Sequence, residues 1–224
     1  MSEPRDVLHS WIAAEAAQPV GMAARALVEA IVSRHGQVVA AVLFYGACLR
    51  QPDPLPSDQP VFDFYALVDG YPAVYRGGVS ALSNALLPPN VFYLEHPWQE
   101  RILRAKYAII SLSQFNRGCS RRSFHSYFWA RFAQPARIVY ARDEAARRAV
   151  ETALVEAVVT MAASVAPLLD GEIDASTLWI AGFQQTYRAE LRSERSHRSA
   201  LIHAADAARY ERFTRPALAA AGLG

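Results

Sequence analysis

Lysine is nearly missing from this chain. Of 23 basic residues, Lys106 is the single lysine and every other one is an arginine. A compact, rotatable ammonium and a planar guanidinium fork are not interchangeable. In a chain that takes arginine almost everywhere, Lys106 marks a place where a point charge is wanted for a phosphate, or else it snorkels to the surface from an edge strand. Cysteine is scarce as well: Cys48 and Cys119 supply neither a disulfide framework nor a metal-ligand spacing, which points to a reducing compartment. Net charge is small. Lys+Arg 23 against Asp+Glu 21 leaves +2, so the chain lacks the global field of nucleic-acid binders and any anionic partner must be met locally. No nucleic acid is expected as a partner.

The N-terminus also lacks a basic start followed by an apolar core, and Glu3, Asp6 and Glu15 argue against an Arg-rich transit peptide. The longest apolar run, Thr152 to Leu169, is interrupted by Glu156 and ends near Pro167. It falls short of the ~20 residues of a comfortable bilayer span and reads as a buried helix. These features predict a cytoplasmic protein. The six histidines show no H-x-x-x-H spacing, and Ser80, Ser111 and Ser113 have no nearby His/Asp signature, so hydrolase chemistry has little support.

What is present is organised around Val38 to Asp69. An apolar run, VVAAVLFYGACLR, is followed by the Pro/Asp-rich loop QPDPLPSDQP and a second apolar run, VFDFYALVD. The pattern predicts strand, Gly turn, loop and strand, with Asp63 near the start of the second strand. In nucleotidyltransferase-type sites, the turn after the first strand lets backbone N–H groups approach a triphosphate, and an acid on the next strand holds a divalent metal. Gly46 and Asp63 occupy those two places; a buried hairpin-like core with a solvated loop is the plainer alternative.

Helical stripes precede this region, at Asp6 to Ala17 and Met22 to Ser33, the second stopped at His35-Gly36. A short helix is expected around Ala81 to Leu87. Strand-like runs follow at Asn90 to Leu94 and Leu103 to Leu112, with a short one at Arg137 to Tyr140. Asp143 to Leu169, Ser176 to Leu191 and Ser199 to Ala221 are helical by period and composition. Strands early and helices late predict an α+β fold, divided into residues 1–115 and a helical part, 116–224.

Taken in order, the Tyr45-Gly46 turn, Asp63 leading an apolar run, VFYLEHP, AKYAIIS, ARFAQPARI and TYRAELR resemble the mitochondrial-type phosphatidate cytidylyltransferases. These are the CDP-diacylglycerol synthases of the translocator assembly and maintenance family, here in a bacterial-like form. Their Y-G-S-G turn, Asp-led strand, K-Y-G-V-V strand, G-R-L-Q-K-P segment and S-Y-x-G-D-x-R segment fall on Tyr45 and Gly46, Asp63, Lys106 with Tyr107, Arg131 with Pro135, and Tyr187 with Glu190 and Arg192. The match runs from Tyr45 to the F-T-R-P-A-L near Pro216, about three quarters of the chain.

The resemblance implies a nucleotidyltransferase-like mixed sheet with flanking helices and a helical, winged-helix-like second domain. It implies the reaction of CTP with phosphatidate to give CDP-diacylglycerol and pyrophosphate, with Mg2+, in phospholipid biosynthesis. Asp63 then binds the metal and Lys106 stabilises the leaving pyrophosphate, both as catalytic residues. Tyr45, Gly46, Ala47, Lys106 and Arg131 fall at the nucleotide, and Arg131, Tyr187 and Arg192 at the acceptor. The departures are definite. Ala47 and Cys48 stand where the family has Ser and Gly, and Tyr65 stands where nucleotidyltransferases commonly carry a second acid. Asp69 shares a face with Asp63 but lies roughly 20 Å along an extended strand. Glu95 is the candidate second metal ligand, or a surface acid before Pro97.

Two other readings remain: a non-catalytic nucleotide-binding or regulatory protein of the same fold, and nucleotidyl transfer to a different acceptor. Phosphatidate is a bilayer lipid, so the resemblance also implies peripheral contact with a membrane surface, the inner leaflet of the cell membrane. Arg117, Arg121 and Arg122, beside Phe124, Tyr127 and Trp129, are the candidate cluster. The alternative is a linker whose arginines are merely solvated. The Arg/Glu run from Arg188 to Arg198 reads as a solvated helix end.

Overall fold

A run such as VAAVLFY has no polar face to turn to water, and it forms the interior strand β1 (Val39–Tyr45), buried along nearly all its length. The computed structural model describes residues 3–50, 60–70, 90–189 and 195–223, without the side chains at 50, 186–189 and 195–197. The short helix expected around Ala81 to Leu87 lies outside the described residues. Among the described residues the remaining strands are β2 (Val61–Val68), β3 (Asn90–Trp98), β4 (Arg101–Ser111) and β5 (Ala136–Ala141). They form one mixed sheet in the order β3-β4-β2-β1-β5, with β2 and β4 parallel and every other pair antiparallel. The α+β expectation is met, and each expected strand is present.

Two compact units divide the chain: Ala14–Phe115 with Pro135–Val150, and Met1–Ala13 with Asn116–Gln134 and Glu151–Gly224. One boundary between the units follows Phe115, residues 1–13 group with the helical unit and residues 135–150 with the sheet unit. The sheet unit recruits β5 from beyond that boundary because β5 closes the β1 edge of the sheet.

In the sheet unit, α2 (Met22–His35) buries Ala23, Ala24, Leu27, Val28 and Ile31, a stripe at helical spacing. That stripe meets Phe44, Phe62, Phe64, Ala105, Tyr107 and Ile109 in one core. The rings of Phe44, Phe62 and Phe64 lie 5.1–6.4 Å apart, and such pairs contribute about 0.5–1.5 kcal/mol each beyond area burial. Since strand side chains alternate, committing these residues to the α2 face sends Asp63, Lys106 and Tyr45 to the other.

The helical unit takes parts of α1 (Pro4–Ala16), α3 (Leu112–Cys119) and α5 (Glu144–Val165), with α4 (Tyr127–Phe132), α6 (Ala175–Ala189), α7 (Arg195–Ala205) and α8 (Ala207–Ala220). Its core is built on Trp179, whose Nε1 donates to Thr214 Oγ1 at 2.9 Å while that hydroxyl donates to the Tyr210 carbonyl at 2.7 Å. Asp174 starts α6 by accepting from the Thr177 N–H at 2.7 Å. The single helix expected over Ser199 to Ala221 is two, broken at Asp206 (φ −136°, ψ 34°), which lets Tyr210 on α8 stack on His203 of α7 at 5.5 Å. By length and composition, Glu144–Leu168 would suit a membrane span, but 72% of its apolar window is buried, as in a core helix.

Candidate active site

Register brings the sequence candidates together. Tyr45 on β1 pairs with Asp63 on β2, Asp63 with Lys106 on β4, and Lys106 with Tyr93 on β3. The four form one row across the sheet, on the face opposite the α2 core. Neighbouring strands lie ~4.8 Å apart, so the one lysine in the chain is the cross-strand neighbour of Asp63 on the same face of the sheet. Lys106 is exposed and Asp63 half-buried. The edge-strand reading of Lys106 fails, because β4 is an interior strand between β3 and β2.

Gly46 completes the corner. Its φ is +89°, a left-handed value that suits glycine, and a Cβ placed there would lie 3.1 Å from Asp63 Oδ2. The turn thus lies close enough to the carboxylate that a side chain at 46 would press on it by a few tenths of an ångström. Ala47 opens a short 3-10 segment, Ala47–Arg50, and the Leu49 N–H closes it onto the Gly46 carbonyl at 3.3 Å. Cys48 Sγ donates to the Val61 carbonyl at 3.4 Å, tying the turn to the start of β2. Burial, and secondarily the Asp63 charge, push the Cys48 thiol above its ordinary value, so it stays protonated at neutral pH.

The carboxylates expected to share a metal are apart. Glu95 lies on β3, two strands and two residues from Asp63, ~12 Å by strand spacing. Arg104 Nε donates to it at 3.0 Å. Asp69 is engaged elsewhere, where Arg142 donates to both its oxygens, at 2.5 and 3.2 Å, and to the Gln37 carbonyl at 3.0 Å. Those bonds, with one to Asp143, raise the Arg142 pKa further. Among the described residues no three His, Cys, Asp or Glu side chains gather. Mg2+ is characteristically held by one or two carboxylates together with substrate phosphates. A single carboxylate against an open glycine turn fits that mode of binding.

Arg131 and Tyr187 belong to the helical unit. Arg131, on α4, holds its guanidinium 4.7 Å from the centre of the Tyr127 ring. Tyr187 falls on α6, where only the backbone is described, and Arg192 lies outside the described residues. One member of the site escaped the sequence, Tyr93, opposite Lys106; Cys48 was visible there beside the Gly turn, but its bond to the start of β2 was not. The alternation Val91, Tyr93, Glu95 on β3 signals Tyr93, but only once its register against β4 is known.

Neither a protein-family model nor a curated protein matches the chain.

Proposed function

We propose that the protein is a nucleotidyltransferase that moves the cytidylyl group of CTP to phosphatidate, forming CDP-diacylglycerol and pyrophosphate. The observation that carries this reading is the juxtaposition of the Gly46 turn, Asp63 and Lys106 on one face of a mixed sheet. In the reaction, a phosphate oxygen of phosphatidate bonds to the α-phosphorus of CTP and the bond from that phosphorus to the bridging oxygen breaks. Pyrophosphate carries away the electron pair. Mg2+ supplies charge neutralisation on the triphosphate. Asp63 holds the cation, the Gly46 turn lets backbone N–H groups approach the phosphates, and the Lys106 ammonium stabilises charge on the leaving pyrophosphate. The order of motifs along the chain supports CTP and phosphatidate as the substrates.

A nucleotide panel with Mg2+, scored for pyrophosphate with and without phosphatidate, tests the proposal. Release that requires CTP and phosphatidate together is the expected result. Release with a water-soluble acceptor in place of the lipid would move the reading to a different acceptor. The lone carboxylate and the Ala47 methyl in place of a hydroxyl favour a second reading, a nucleotide-binding protein without turnover. That reading predicts a CTP-dependent rise in melting temperature with no pyrophosphate released under any condition.

A further inference from the structure

We propose that the loop between α3 and α4 docks this protein on an anionic lipid surface, with Phe124 inserting and Arg121 and Arg122 contacting lipid phosphates. The inference rests on the lipid-acceptor reading and names the surface through which the helical unit meets that lipid.

Phe124 is fully exposed, at 102% of its reference area. A single exposed apolar residue is ordinary, but the presentation of this one is built. Ser120 Oγ donates to the Arg117 carbonyl at 2.8 Å, the Ser123 N–H to the Ser120 carbonyl at 3.0 Å, and Ser123 Oγ to the His125 carbonyl at 3.0 Å. Ser126 Oγ fastens the far end to the Gln185 carbonyl of α6 at 3.0 Å. Gly118 lets α3 and α4 close on each other, since a Cβ there would lie 2.7 Å from a Phe128 ring carbon. The bonds hold the loop in a shape that points Phe124 outward.

Charge is the second, independent observation. From Arg101 to Arg142 the sequence contains no Asp or Glu, although the chain holds 21 of them. Arg117, Arg121 and Arg122 are exposed within that stretch. Of the three aromatic residues expected at this surface, only Phe124 is fully presented: Trp129 is buried at 6%, and Tyr127 lies beneath the Arg131 guanidinium. One ring and its arginines are too small for a stable protein interface, which needs about 800 Å² from each partner. A nucleic-acid strand would want several stacking rings. A bilayer requires no shape match, and interfacial binding grows with the apolar area buried and with attraction to anionic lipid, which Phe124 and the arginines supply together.

The test uses the full chain with vesicles of phosphatidylcholine alone, or doped with phosphatidylglycerol or phosphatidate. Binding is expected to both doped vesicles, little to phosphatidylcholine alone, and to fall with salt as screening grows. The Arg121→Ala/Arg122→Ala variant should bind about 30-fold more weakly, at roughly fivefold per basic residue near an anionic surface. In a Phe124→Trp variant, emission should shift to the blue on binding and be quenched by brominated lipid beyond the wild-type background, while Phe124→Ser should weaken binding. Affinity indifferent to lipid charge and to these variants, or no added quenching from residue 124, overturns the proposal. Pyrophosphate release from CTP with phosphatidate in detergent micelles reads the active site separately. If vesicle binding behaves as stated but CTP is not consumed, the docking surface stands and the cytidylyltransferase reading falls.

Discussion

A Cβ on residue 46 would meet Asp63 Oδ2 at 3.1 Å in a backbone conformation that already disfavours L side chains. Gly46→Ala should therefore cost ~1 kcal/mol or more in stability and should lower activity further than that loss implies, by moving the carboxylate. Comparing melting temperature with kcat separates the two effects. Asp63→Asn keeps the volume and loses the charge, so turnover should be abolished with circular dichroism unchanged; wild-type activity would remove Asp63 from the mechanism. At Lys106, replacement by Met should lower kcat by about 10²–10³, as loss of one stabilising donor does elsewhere, and Arg should recover only part of it. Ala47→Ser restores the hydroxyl of the resembling family and should leave activity equal or higher, whereas a loss above tenfold would mean that this turn is built differently. The Gly46 and Asp63 positions were legible because turn chemistry and strand parity are local. The absence of Glu95 from their side was not, because Arg104 reaches it only through the β3–β4 pairing.

Between elements, a side-chain hydrogen bond adds to the apolar packing of α2 on β4: His35 Nε2 and Tyr107 OH lie 3.0 Å apart on the face opposite the row of site residues. Burial, and then the neighbouring Arg34, hold the His35 pKa below its ordinary 6.5. The unfolded chain therefore takes up a proton at higher pH than the folded one, and stability is lost as pH falls from about 6.5 through the lower folded value. Urea unfolding between pH 7.5 and 5 should show this decline, and His35→Gln should flatten it. An equal slope in that variant would assign the decline to another group. Tyr107→Phe should cost about 1 kcal/mol at neutral pH. The existence of each strand was legible from its apolar run, but the limits of β3 and β4 were not: β3 continues past Leu94 through Pro97 to Trp98, and β4 starts at Arg101 and ends at Ser111. The break at Asp206 was not legible either, because the apolar period continues through it and only packing on α6 decides where the chain turns.

For the whole molecule, the decisive feature is that β4 lies between β3 and β2 and runs parallel to β2. Composition singled out Lys106, but no local signal states which strand it faces, since a parallel neighbour depends on how the intervening chain crosses over. The mixing of the two units along the chain is equally a product of long-range pairing, with β5 contributed from beyond the helices that precede it. The proposed reaction requires that Asp63 and Lys106, paired by that register, act together in moving a cytidylyl group to a lipid phosphate. Its most direct measurement follows the label of CTP carrying 32P at the α-phosphorus into the organic phase. With phosphatidate and Mg2+, label is expected in a chloroform-extractable product for the wild type, and none for Asp63→Asn or without phosphatidate. Label confined to the aqueous phase in the wild type, or lipid labelling that persists in Asp63→Asn, would contradict it.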